Sequence, residues 1–89
     1  MPRRRADRID SNQNSIIKEL RKKGYSVVPG HDDILVGHEG RTYWFEIKQH
    51  PRSSIQPSQR ELLDNFTGHY RIVWNATMII NEIEANSTQ

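Results

Sequence analysis

The sixteen residues from Asp33 to Lys48, "DILVGHEGRTYWFEIK", constrain the fold more than any other stretch. An apolar run, Ile34–Val36, and a β-branched and aromatic run, Thr42–Ile47, flank the turn Gly37–Gly40. Such a pattern predicts two antiparallel strands. Strand alternation then puts Thr42, Trp44, Glu46 and Lys48 on one face of the second strand, and Tyr43, Phe45 and Ile47 on the other. Glu46 and Lys48 are same-face neighbours, roughly 6.5–7 Å apart along the backbone. The turn folds Asp33 back across from them, so two carboxylates and an ammonium converge at one end of the strand pair.

Around this hairpin the chain reads as one α/β (α+β) domain. Asp10 caps a helix, with Gln13 completing a capping box and Ile16, Ile17 and Leu20 forming its apolar stripe. Gly24 ends it after a basic last turn. Tyr25–Val28 is a first strand, stopped by Pro29 and Gly30, and residues 49–57 form a loop. Ser58 and Glu61 make a second capping box ahead of the stripe Leu62, Leu63 and Phe66. Tyr70–Trp74 is a fourth strand, and Ala76 to about Ala85 closes the chain as a short helix. The order is α-β-β-β-α-β with a final α over residues 10–85, between a flexible basic arm at 1–9 and a disordered tail at 86–89.

A chain of 89 residues buries only about 60–65% of its unfolded surface, so its core is thin. Exposed aromatics such as Trp44 and Trp74 would offer apolar surface to a second subunit, and a homodimer is expected. Cysteine is absent, which excludes disulfides and thiolate zinc sites and fits a reducing compartment. His31, His38, His50 and His69 do not fall at zinc-module spacings. There is no apolar run of membrane-spanning length, and polar residues follow the basic N-terminus where a signal peptide needs apolar ones. The expectation is a soluble cytoplasmic domain. Its net charge of +2 is unevenly spread. Arg3, Arg4, Arg5 and Arg8 crowd the start, and Lys18, Arg21, Lys22 and Lys23 follow, an arrangement suited equally to a phosphate backbone or to an ordinary solvated surface.

Two carboxylates at one spot repel each other and call for a cation between them, as in a Mg²⁺ site with few protein ligands. Such an ion leaves coordination room for water and a phosphate oxygen, and a neighbouring lysine can orient the water or meet charge growing on phosphorus oxygens. The chemistry is phosphodiester hydrolysis. The plainer alternative is a surface ion pair, Glu46 with Lys48, at a frayed strand end. Gln13 and Gln59 each begin the apolar face of a helix, where leucine would be the usual choice, and a metal-and-phosphate site would give both amides a polar partner.

These residues resemble the PD-(D/E)XK nuclease superfamily, in particular the small stand-alone virus-type VRR-NUC nucleases of phages and prophages. The likeness runs over about residues 7–74: "DSNQNSII" in the first helix, "DDILVG" for the family's "PDLLVG", "FEIK" for its "EIK", and "PSQRELL" for its Pro-x-x-Gln helix. It implies Asp33 and Glu46 as ligands of Mg²⁺ or Mn²⁺, with Ile47 adding its backbone carbonyl. It also implies Lys48 as the residue acting on water and Gln59 as a helper that positions water or phosphate. Asp32 stands where the family has proline, and Ser15 where relatives often have glutamate, which leaves Gln13 as the first-helix contributor. Arg3, Arg4, Arg5, Arg8, Lys18, Arg52 and Arg60 would grip DNA. The activity implied is a structure-specific endonuclease, resolving four-way (Holliday) junctions in a bacterial or phage-infected cell. A non-catalytic nucleic-acid-binding module, and a nickase or exonuclease acting on linear DNA, are the alternatives.

Overall fold

The computed structural model describes residues 2–87, with side chains from Asn12 onward; Met1, Thr88 and Gln89 lie outside it. Seven elements follow in order: α1 (Pro2–Lys22), β1 (Ser26–Pro29), β2 (Asp33–His38), β3 (Arg41–Ile47), α2 (Pro57–Asn65), β4 (Tyr70–Val73) and α3 (Ala76–Ser87). The α-β-β-β-α-β-α order and the mixed class are as the sequence predicts. The strands form one sheet in the order β1-β2-β3-β4. β1 and β2 pair antiparallel, as do β2 and β3, whereas β4 runs parallel to β3 after the crossover that carries α2.

Alternation sorts the sheet into two faces. Val27, Ile34, Val36, Tyr43, Phe45, Ile47 and Val73 point to the face covered by α1 and α3, where they meet Ile16, Ile17, Leu20, Ile79 and Ile83 in the core. The opposite face carries Asp33, Trp44, Glu46 and Tyr70, and α2 reaches it through Phe66, whose ring meets Trp44 edge-on at 5.4 Å between centroids.

Several boundaries differ from expectation, each for a local reason. α1 begins at Pro2 and not at an Asp10 cap, so the backbone of residues 2–9, expected as an arm, is helical. Proline is tolerated in a first helical turn, and no other breaker intervenes before Gly24. α2 starts at Pro57, whose fixed φ suits that position, and its capping partners are Gln56 and Gln59 in place of Ser58 and Glu61. At the other end, α3 continues through Asn86 and Ser87, two residues expected in a disordered tail. Their side chains bond the helix's own carbonyls, Asn86 Nδ2 to Glu82 O at 2.7 Å and Ser87 Oγ to Ile83 O at 2.9 Å.

Candidate active site

The hairpin register makes Asp33 the direct partner of Glu46, with Ile34 opposite Phe45 and Leu35 opposite Trp44. Asp33 and Glu46 therefore project from adjacent strands on the same face. Asp32 lies one residue outside β2. It is exposed, and its carboxylate meets the His31 ring at 3.0 Å while its carbonyl accepts from Ile47 N–H at 2.9 Å.

Glu46 is 8% exposed and is the one buried charged side chain among the described residues. Burial raises its carboxyl above the ordinary range; Lys48 opposes that rise, and Asp33 and then Asp32 add to it. Lys48 makes no direct ion pair among the described residues, although its charge acts on the Glu46 carboxyl. Its side chain lines a cleft of about 310 Å³ with Leu63 of α2, Ile72 of β4 and Trp74. Lys48 is fixed through its backbone, where N–H donates to Val73 O at 2.8 Å and the carbonyl accepts from Asn12 Nδ2 at 3.1 Å.

Asp33 is held from three sides. The Trp44 indole N–H donates to Oδ2 at 2.7 Å. Oδ1 lies over Gly30, where an added methyl would collide with it. The Asp33 backbone carbonyl accepts from Gly30 N–H at 2.7 Å and from Gln13 Nε2 at 3.5 Å. Gln13 also donates to Gly30 O at 3.2 Å, so its amide serves the backbone at the start of β2 and not the carboxylates directly.

Beside Glu46, in the adjoining strand, Tyr70 is buried and its hydroxyl makes no hydrogen bond of full geometry among the described residues. That hydroxyl faces Glu46 without meeting full hydrogen-bond geometry. Burial first, then the Glu46 and Asp33 carboxylates, push it up to about 12. Tyr70 thus stays protonated at neutral pH, a donor beside the Glu46 carboxyl.

The other expected residues are dispersed. Gln59 spends its Oε1 on Gln56 N–H at 2.9 Å, capping α2. Arg52 and Arg60 are exposed, in the loop after Lys48 and on α2. Lys18 is exposed among Glu19, Lys22 and Lys23, on the side of α1 turned away from its core stripe. Arg21, grouped with these lysines by sequence, donates instead to Val27 O at 2.9 Å and joins α1 to β1. Arg3, Arg4, Arg5 and Arg8 fall within α1, but their side chains lie outside the described residues.

Sequence reasoning missed Asn12, Gly30, Trp44 and Tyr70 as parts of this site. Alternation already put Trp44 on the face of Glu46; nothing local indicated the others.

The donor set fits a hard divalent cation. Asp33 and Glu46 are register partners, no cationic side chain among the described residues is in ion-pair contact with either, and the buried Tyr70 hydroxyl stands beside Glu46. Among the described residues no third His, Cys, Asp or Glu joins them, so the remaining ligands would be backbone oxygen and water, the preference of Mg²⁺. No family model, curated protein or solved structure matches this chain.

Proposed function

We propose that this protein is a divalent-metal-dependent DNA endonuclease, with Asp33 and Glu46 as the side chains that hold Mg²⁺ or Mn²⁺ and the Ile47 carbonyl as a third oxygen. The observation that carries this reading is the register pairing of Asp33 with Glu46, two residues before Lys48, on the sheet face that also carries the Trp44, Tyr70 and Phe66 rings. A bound metal would lower the pKa of water and polarise a phosphate oxygen. The chain's own groups do the rest. Lys48, in no ion pair among the described residues, supplies positive charge for the phosphate oxygens; Trp44 orients Asp33 through its indole N–H; Tyr70 offers a proton donor beside Glu46. Burying Glu46 beside Asp33 costs stability, and a module that merely bound nucleic acid would gain nothing from two carboxylates near phosphates.

A homodimer acting on branched DNA, with four-way junctions as the target, extends this reading. The apolar surface that favours a second copy differs from the one expected. Trp44 and Trp74 are half-buried, whereas Val28, Leu35, Ile55 and Phe66 are exposed, and Val28 and Leu35 are register partners. In this reading Lys18, Arg52, Arg60 and the arginines of early α1 hold the DNA backbone without reading bases. No helix of the described residues is long and apolar enough to cross a membrane. A reducing cytoplasm, bacterial or phage-infected, is the proposed setting.

The test is digestion of junction and linear duplex DNA with and without Mg²⁺. Metal-dependent paired nicks in the junction are expected. Binding without cleavage in Mg²⁺ and Mn²⁺ would leave a non-catalytic module, and linear DNA degraded as fast as junctions would leave a nickase or exonuclease.

A further inference from the structure

We propose that Trp44 and Gly30 act together as positioning residues that set the direction in which Asp33 presents its carboxylate to a divalent cation, an inference that rests on the nuclease reading above. An aspartate at the start of a strand turns readily about its terminal bond, and a weakly coordinated Mg²⁺ has no ligand to spare for one that points elsewhere. Here both oxygens are constrained. Trp44 stands opposite Leu35, two residues along β2 from Asp33, a diagonal within reach of a long aromatic side chain. Its indole N–H meets Oδ2 at 2.7 Å, a charge-assisted contact that leaves that oxygen further lone-pair capacity. Oδ1 occupies the space above the Gly30 Cα that any side chain would fill.

The indole is itself immobilised. Phe66 meets it edge-on with planes at 85°, and Tyr70, its register partner on β4, meets it at 4.8 Å and 69°. Phe66 closes the C-terminus of α2, so the helix that crosses this face fixes the ring that fixes the carboxylate. Trp44 is thus tied to Asp33 by its N–H and to the fold by its rings, and these two roles separate experimentally.

The experiment measures Mn²⁺ binding by titration calorimetry, the Mg²⁺ concentration for half-maximal junction cleavage, and thermal melting, for the native protein, Trp44→Phe and Gly30→Ala. Trp44→Phe keeps an aromatic ring but removes the N–H; Gly30→Ala keeps every ring and displaces Oδ1. Both are expected to weaken Mn²⁺ binding about tenfold or more and to raise the half-saturating Mg²⁺ by a similar factor, the usual effect of losing a ligand's hydrogen-bond partner. Melting temperature is expected to stay near native for Gly30→Ala, which decides the matter if Trp44→Phe does not fold. Native Mn²⁺ affinity in a folded variant of an active nuclease would overturn the positioning role alone. A native protein that neither binds Mn²⁺ nor cuts DNA would overturn the nuclease reading and this inference with it.

Discussion

Glu46 is where stability and chemistry oppose each other most directly. Its folded-state pKa lies above its unfolded value, mainly through burial, so between the two values the folded state holds more protons and stability falls as pH rises. In chelator at pH 7, Glu46→Gln is therefore expected to melt higher than the native protein, with the gap closing as pH falls below the unfolded-state carboxyl pKa. Adding Mg²⁺ should raise the native melting temperature and leave the variant's unchanged. The same substitution should remove DNA cleavage while leaving binding intact or tighter, since it deletes a negative charge near phosphate; a variant that cuts normally would refute the role of Glu46. Lys48 makes the complementary case. Lys48→Ala should fold and bind DNA yet cleave about a hundredfold more slowly under single-turnover conditions. An unfolded variant would mark Lys48 as structural, and one of normal rate as idle.

Among the elements, α1 serves two ends at once. Ile16, Ile17 and Leu20 fill the core, while Asn12 and Gln13, one turn earlier, bond the carbonyls of Lys48, Gly30 and Asp33. Docking of the helix and placement of the site backbone are thereby coupled. Leu20 is fully buried, and Leu20→Ala is expected to cost about 3 kcal/mol in urea unfolding through lost burial and the cavity left behind. Asn12→Ala, at the site end, should cost only about 1 kcal/mol, the worth of one hydrogen bond. A larger loss from Asn12 than from Leu20 would show that the amide contacts, and not the apolar stripe, dock α1.

The whole molecule is small enough that its unpaired apolar surface matters. Val28 and Leu35 stand exposed on the face that carries Trp44, at 62% and 41% of their full area. If a second copy covers them, Leu35→Lys should shift light scattering at micromolar concentration from dimer to monomer and slow paired nicking of junctions, leaving Mn²⁺ affinity unaltered. A native protein already monomeric at that concentration would dismiss the dimer without touching the active-site assignment. Junction affinity should also fall steeply with added salt, as expected when basic side chains grip phosphates without reading bases.

That Asp33 meets the Glu46 end of the next strand was legible in the sequence because a hairpin is a local object whose period-two pattern sets its faces; the direct pairing with Glu46 comes from a turn at Glu39 and Gly40, tighter than the Gly37–Gly40 turn expected. Element order was legible for the same reason, from glycine, proline and apolar periodicity. What only the tertiary structure decided depends on contacts distant in the chain. The parallel register of β4 on β3, which puts Tyr70 beside Trp44 and Glu46, follows a crossover whose outcome no local pattern encodes. Whether Glu46 is buried, whether Arg21 and Gln59 are free or spent on backbone, and which way Gln13 points depend on side-chain directions that exist only once helices and sheet have docked. The sequence by itself therefore determined which carboxylates share one end of the hairpin, and packing determined what holds them there, because strand pairing follows local periodicity while hydrogen-bond partners follow three-dimensional proximity.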